Sequence, residues 1–222
     1  MGEILTLKTS DGVDISAYKA MPEGEPKGGM VVLQEIFGVN HHIRSVADRF
    51  AAAGYVAVAP ALFDRVEKGV ELAYDEAGIG RGFGLAQKSS QEAALRDISA
   101  AIALASEGGK VGIVGFCWGG TLSYASATHL DTLAAAVGYY GGQIAAIVKE
   151  RLHCPVELHF GETDAHIPMT DVEKIRHAHP GMAVYTYPAG HGFNCDERGS
   201  YDKASADLAW SRTLEFFGRH IK

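Results

Sequence analysis

Cysteine is scarce in this chain, with only Cys117, Cys154 and Cys195 among 222 residues. An odd, widely spaced set without a C-x-x-C pair is no disulfide framework, and it argues against a zinc ribbon or a thioredoxin-type motif. Positive charge is also in deficit, with 20 Lys and Arg against 27 Asp and Glu and a net charge of -7. That balance argues against the clustered cationic surface that nucleic acid demands, and it weakens the case for a polybasic membrane patch. No apolar run approaches the roughly 20 residues needed to span a bilayer. The opening MGEILTLKTSDG turns polar within a few residues, so no signal peptide is expected. There is no internal repeat, linker or low-complexity tract. These absences predict a cytoplasmic protein in a reducing compartment, where a free thiol survives.

Histidine is plentiful but badly spaced for a metal. His41 and His42 are adjacent, His177 and His179 stand two apart, and none forms H-E-x-x-H. No metal is expected.

The apolar residues, 47% of the chain, fall into short blocks that alternate with helical patterns. EILTLK and DISAYKA, split by Ser10-Asp11-Gly12, predict an antiparallel hairpin. MVVLQ (30–34), YVAVAP, KVGIVG, LAAAVGYYG, PVELHFG and MAVYTY predict buried strands. HHIRSVADRFAAAG, QEAALRDISAAIALAS and TLSYASATHL carry helical spacing, as do segments near 143–150, 169–178 and 202–219. Residues 64–88, charged and glycine-rich, read as a long excursion over the top of the sheet. The pattern predicts a single α/β domain over 1–222, with a mostly parallel sheet covered by helices on both faces. Sites in such sheets gather at the carboxyl ends of strands.

That rule selects candidates. Gly115-Phe116-Cys117-Trp118-Gly119 is a G-x-S-x-G nucleophile elbow with sulfur in place of the serine oxygen, and it lies between a strand and a helix. The alternative, a cysteine that merely packs, suits Cys154 and Cys195 better. A thiol nucleophile needs a base, and the base needs an orienting acid. Asp164 and His191 both follow strands, and the order Cys117, Asp164, His191 is that of α/β-hydrolases. His166 and His159 are rivals, but His166 is only two residues from Asp164 and His159 lies within a strand. The backbone N–H groups of Trp118 and of Ile36, in the loop QEIFGVN, would form an oxyanion hole. The same loop places Glu35 beside the thiol. Tyr139 and Tyr140 are candidates to line the pocket.

With QEIFGVN, PALFDR, GFCWGG, VGYYGG, GETDAHIP and AGHGF in this order, the chain resembles the dienelactone hydrolase (carboxymethylenebutenolidase) family over nearly its whole length. The resemblance implies an α/β-hydrolase fold with a short cap at about 64–88. It implies a Cys-His-Asp triad acting on a cyclic enol ester, a small-molecule lactone substrate and no cofactor. Cys117, Asp164 and His191 match the triad. Glu35 matches a glutamate that accepts the thiol proton when substrate binding shifts it. Arg65 matches the first of two arginines that grip the substrate carboxylate, although Ala61 and Phe63 replace the usual Asp and Tyr in its motif. The second arginine is missing: four residues past His191 stands Cys195, with Arg81 and Arg198 as the available substitutes. Two alternatives follow, a broader carboxylesterase acting on neutral esters and a non-catalytic thiol sensor on the same fold. A monomer is compatible with each.

Overall fold

The structure is a computed structural model that describes residues 2–221. Its strands are β1 (Glu3–Lys8), β2 (Asp14–Ala20), β3 (Gly28–Leu33), β4 (Tyr55–Pro60), β5 (Val111–Phe116), β6 (Leu133–Tyr139), β7 (Val156–Gly161) and β8 (Ala183–Tyr187). The helices are α1 (His41–Ala52), α2 (Glu76–Lys88), α3 (Gln91–Ala105), α4 (Trp118–His129), α5 (Ile144–Ile147), α6 (Met169–Ala178) and α7 (Lys203–His220). The strands form one sheet in the order β1-β2-β4-β3-β5-β6-β7-β8. Pairing is antiparallel in β1–β2 and β2–β4 and parallel from β4 onward. The predicted hairpin and the mostly parallel sheet are therefore present.

Burial follows from position. Every residue of β3, β4, β5 and β7 is buried, as continuous apolar runs covered on both faces require. β1, an edge strand, buries only Leu7. Helices cover the sheet from both sides. On one side Phe50 of α1 meets Trp210 and Phe217 of α7 at ring separations of 4.6 and 6.1 Å. On the other, α3 packs on β3 and β4 and α4 on β5 and β6.

Several helices start where a side chain takes up a free N–H group. Asn40 accepts from Ile43 N–H in α1, Asp75 from Gly78 N–H in α2 and Asp202 from Ser205 N–H in α7. Each such cap is worth about 1 kcal/mol. The sharpest departure from the sequence reading lies in 64–88, whose second half is the 13-residue helix α2 rather than a loop. The segment expected to be helical over 143–150 contracts to the four residues of α5.

The strand order fixes where a ligand fits. The chain runs from β3 to β4 on one side, then returns to place β5 on the other side of β3. Loops leaving the carboxyl ends of β3 and β5 therefore diverge, opening a crevice at this switch point. Residues 34–40 and Cys117 occupy it.

Candidate active site

Cys117 sits between β5 and α4 with φ 54° and ψ -114°, a left-handed conformation that costs a non-glycine residue roughly 1–3 kcal/mol. Glycines make the turn possible. A Cβ at Gly115 would lie 1.9 Å from the Gly119 carbonyl oxygen, and one at Gly119 would lie 2.4 Å from that of Gln34. The half-buried thiol is thereby held out at the N-terminus of α4, where the helix dipole favours an anion.

His191 lies in the loop after β8, and its Nδ1 is 2.7 Å from Asp164 Oδ2. Asp164, its side chain fully buried, also accepts the His166 N–H at 2.8 Å through Oδ1. Burial pulls the His191 imidazole down, but Asp164 and Cys117 facing the ring outweigh it and push the pKa up to about 10. Burial likewise opposes ionisation of Asp164, and the His191 bond overrides it and holds the carboxyl low. The structure thus brings Cys117, His191 and Asp164 together. Of the rivals, His166 sets its ring edge to face against that of His191, 5.3 Å away, and it meets Asp164 through its backbone N–H. His159 is buried in β7, bonded to Tyr187 Oη, Glu157 and Thr213.

The loop after β3 faces the elbow across the crevice. Gly119 N–H donates to the Gln34 carbonyl at 3.1 Å and ties the two together. Among the described residues, the N–H groups of Ile36 and Trp118 have no acceptor. Glu35 is 1% exposed; its Oε1 accepts from the Arg198 guanidinium at 3.0 Å, and its Oε2 has no partner among the described residues.

Arg198 lies over the rings of Phe37 and Tyr74, 5.5 and 5.7 Å from their centroids. Burial lowers its pKa, but the negative charge of Glu35 more than restores it. Cys195 is fully buried, and desolvation with Glu35 nearby pushes its thiol up to about 12.

Two expected site residues point elsewhere. Arg65 commits its guanidinium to Asp97 (2.9 and 3.0 Å), Asp11 (2.9 Å) and Thr9 (3.2 Å), clamping the hairpin turn to α3. Its charge is already shared between these two carboxylates. Tyr139 is the last residue of β6 and turns into the core, where its hydroxyl meets Thr213 at 2.8 Å. Tyr140, in a left-handed turn at φ 38°, keeps its ring 6.1 Å from that of Tyr139. The Tyr140 ring is 5.0 Å from that of His191, and its fully buried hydroxyl has no partner among the described residues. Arg81 is exposed and paired with Glu67.

Tyr74, not singled out from the sequence, packs its ring at a tilt on Phe37, 4.5 Å between centroids, and its hydroxyl accepts from Asn40 at 3.0 Å. The signal available was a lone aromatic in a charged stretch. A cavity of about 360 Å³ lies at the opposite, amino edge of the sheet, lined by Ile102, Lys110 and Leu130, and holds none of these residues. Among the described residues no group of three or more His, Cys, Asp or Glu is disposed to hold a metal. Among the described residues no helix is long and apolar enough to cross a membrane.

The family model for dienelactone hydrolases matches residues 15–221. The chain belongs to the dienelactone hydrolase family. Within it, a Pseudomonas putida carboxymethylenebutenolidase is 33% identical, aligned over 96% of this chain and 95% of its own length. A Synechocystis protein provisionally given the same name is 35% identical over 96% of this chain and 95% of its own. A Klebsiella pneumoniae structure, provisionally described as a dienelactone hydrolase, superposes with a TM-score of 0.88 at 31% identity over 98% of each chain. The Pyrococcus furiosus esterase Pf2001, only 13% identical at a TM-score of 0.70, shares the fold. The fold is that of α/β-hydrolases, and membership of this family makes the chain a hydrolase of carboxylic esters.

Proposed function

We propose that the chain is a cysteine hydrolase of small esters and lactones that works through Cys117, His191 and Asp164. One observation carries this reading: a strained, half-buried Cys117 faces an imidazole whose far nitrogen is 2.7 Å from a buried carboxylate. Cys117 sulfur attacks the ester carbonyl carbon, and the carbonyl π electrons move onto oxygen. The N–H groups of Ile36 and Trp118 receive that oxyanion. As the tetrahedral intermediate collapses, the C–O bond breaks and His191 gives its proton to the departing oxygen. In a lactone that oxygen stays tethered to the acyl group. His191 then takes a proton from water, the hydroxide attacks the thioester carbon, the C–S bond breaks to release the acid, and the departing sulfur recovers its proton from Glu35 while the acid gives its own to solvent. Asp164 holds the imidazole in orientation throughout.

Glu35 is the gate in this scheme. Its free Oε2 is the acceptor for the thiol proton, and its charge, when not offset, disfavours a thiolate nearby. Arg198 takes the place of the arginine absent at Cys195, and Tyr140 and the stacked Phe63–Trp118 pair, 5.1 Å apart, line the acyl pocket. Every residue in the scheme comes from one chain, so a monomer suffices, with 64–88 as the cap of a single domain. A free catalytic thiol fits a reducing compartment such as the cytoplasm.

A neutral ester is the second reading. It is favoured because the Arg198 charge is already spent on Glu35, so a substrate carboxylate must compete for it. Initial rates on a dienelactone and on a neutral chromogenic ester, for wild type and Cys117→Ala, test both readings. Rapid turnover of the dienelactone that vanishes in Cys117→Ala supports the lactone reading. Turnover of the neutral ester alone transfers support to the second, and a fully active Cys117→Ala removes both.

A further inference from the structure

The segment between β4 and α3 is braced against the loop after β3 at three points. Leu72 N–H donates to the Phe37 carbonyl at 3.0 Å, Gly38 pairs with Glu71 in an isolated bridge, and α2 lays Gly82 on Ile36. A Cβ at Gly82 would lie 2.1 Å from the Ile36 carbonyl oxygen and 3.1 Å from Ile36 Cβ. Neither atom is the far end of a flexible side chain, so neither can swing away.

α2 is a poor helix by composition, with glycine at 78, 80, 82 and 84. These glycines do different things. A Cβ at Gly80 or Gly84 would meet nothing within 4 Å, and one at Gly78 would meet Ala73 within the same segment. Only Gly82 touches the loop after β3. On the other side of Ile36, Gly119 N–H holds the Gln34 carbonyl and Gln34 Nε2 reaches the Glu35 carbonyl at 3.3 Å. The elbow and the cap helix therefore bracket a single residue, Ile36, whose N–H is free.

We propose that Gly82 is a positioning residue for the oxyanion hole: its missing side chain lets α2 seat on the Ile36 carbonyl and Cβ, pinning the residue whose N–H completes the hole. The inference rests on the reading of Ile36 as an oxyanion donor. It gives the cap helix a part in the chemistry as well as in the shape of the pocket.

The test compares Gly82→Ala with Gly80→Ala in the full chain. It measures kcat and KM on one ester and the rate at which iodoacetamide alkylates Cys117. Alkylation displaces iodide at a saturated carbon, so it needs the thiol but no oxyanion donor. Gly82→Ala is expected to lose about tenfold or more in kcat, short of the roughly 10²–10³ seen when a donor is deleted outright. KM and the alkylation rate should stay within about twofold, and Gly80→Ala should match wild type. A Gly82→Ala enzyme with wild-type kcat overturns the proposal, as does a parallel loss of kcat and alkylation. Should Gly82→Ala fail to fold, Leu85→Ala loosens the buried contact of α2 with Phe63 and Val70, and an unchanged kcat there overturns it equally. Cys117→Ala, run alongside, separates this inference from its premise. Surviving activity in that variant removes both, whereas its inactivity beside a fully active Gly82→Ala removes the inference alone.

Discussion

Replacing Arg198 with methionine keeps much of the side chain's apolar stem and deletes its charge. The Glu35 carboxylate is then left 1% exposed with no donor on Oε1, in addition to the Oε2 that already has none among the described residues. Two opposite charges about 4 Å apart attract by about 4 kcal/mol at a near-surface effective dielectric. Desolvation returns part of that, and breaking a buried pair from one side typically costs about 3–5 kcal/mol. Arg198 is 17% exposed, so the lower end applies, about 3 kcal/mol. In a chain of this size that is a fall of roughly 6–12 °C in Tm. Glu35→Gln should cost less, because Arg198 can turn toward water. The double variant should fall short of the sum by about 1.5–3 kcal/mol. Urea unfolding followed by the fluorescence of Trp118 and Trp210 reads all four proteins. Coupling below about 0.5 kcal/mol, the ordinary error of additivity, would refute the pairing and with it the proposed stand-in for the missing arginine.

Other outcomes follow from the same geometry. His191→Ala should abolish ester turnover, and near-normal rates would dissolve the triad. Arg65→Met should destabilise the fold by about 3 kcal/mol, because the Asp97 carboxylate is fully buried, yet leave KM for an anionic ester unchanged; a selective rise in KM would return Arg65 to the pocket. The His191–Asp164 pair also predicts a pH window. The raised His191 contributes stability that is complete below its ordinary 6.5 and is lost as pH climbs through about 10. The lowered Asp164 contributes stability above its ordinary 3.8 that is lost as pH falls through its depressed value. The stability gap between wild type and Asp164→Asn should therefore be widest between about pH 4 and pH 6.5 and shrink toward pH 10, and a gap flat in pH would contradict it.

What the sequence made legible was whatever depended on local order along the chain. Cys117, Asp164 and His191 could be singled out as candidates because each follows a strand, and strand ends are visible as interruptions of apolar runs. Ile36 and Glu35 were found by the same rule. Pairings between distant segments were not legible. Nothing near Arg65 announces that Asp11 and Asp97, 54 and 32 residues away, claim its donors. Tyr139 and Tyr140 look alike in sequence and their rings touch, 6.1 Å apart, but the left-handed turn at Tyr140 sets its ring against His191 while the Tyr139 hydroxyl goes to Thr213. α2 was hidden by composition, since glycine at 78, 80, 82 and 84 erases the usual helical preference and leaves packing to hold the helix. Arg198 was in view but could not be placed, because the turn after His191 decides which side chain returns to Glu35.

The elbow has a consequence for how chemistry is divided between backbone and side chain. Its shape comes from glycines packed on carbonyl oxygens, the Gly119–Gln34 bond and the donation of Cys117 N–H to the Tyr139 carbonyl at 3.0 Å. No hydrogen bond that shapes it passes through the sulfur; Cys117 makes no side-chain cap on α4. The scaffold is therefore indifferent to which atom it presents. Exchanging sulfur for oxygen at this one position alters acidity and reactivity without requiring any other residue to move, so a single-nucleotide change in the cysteine codon is enough to set a hydroxyl where the same architecture now sets a thiol.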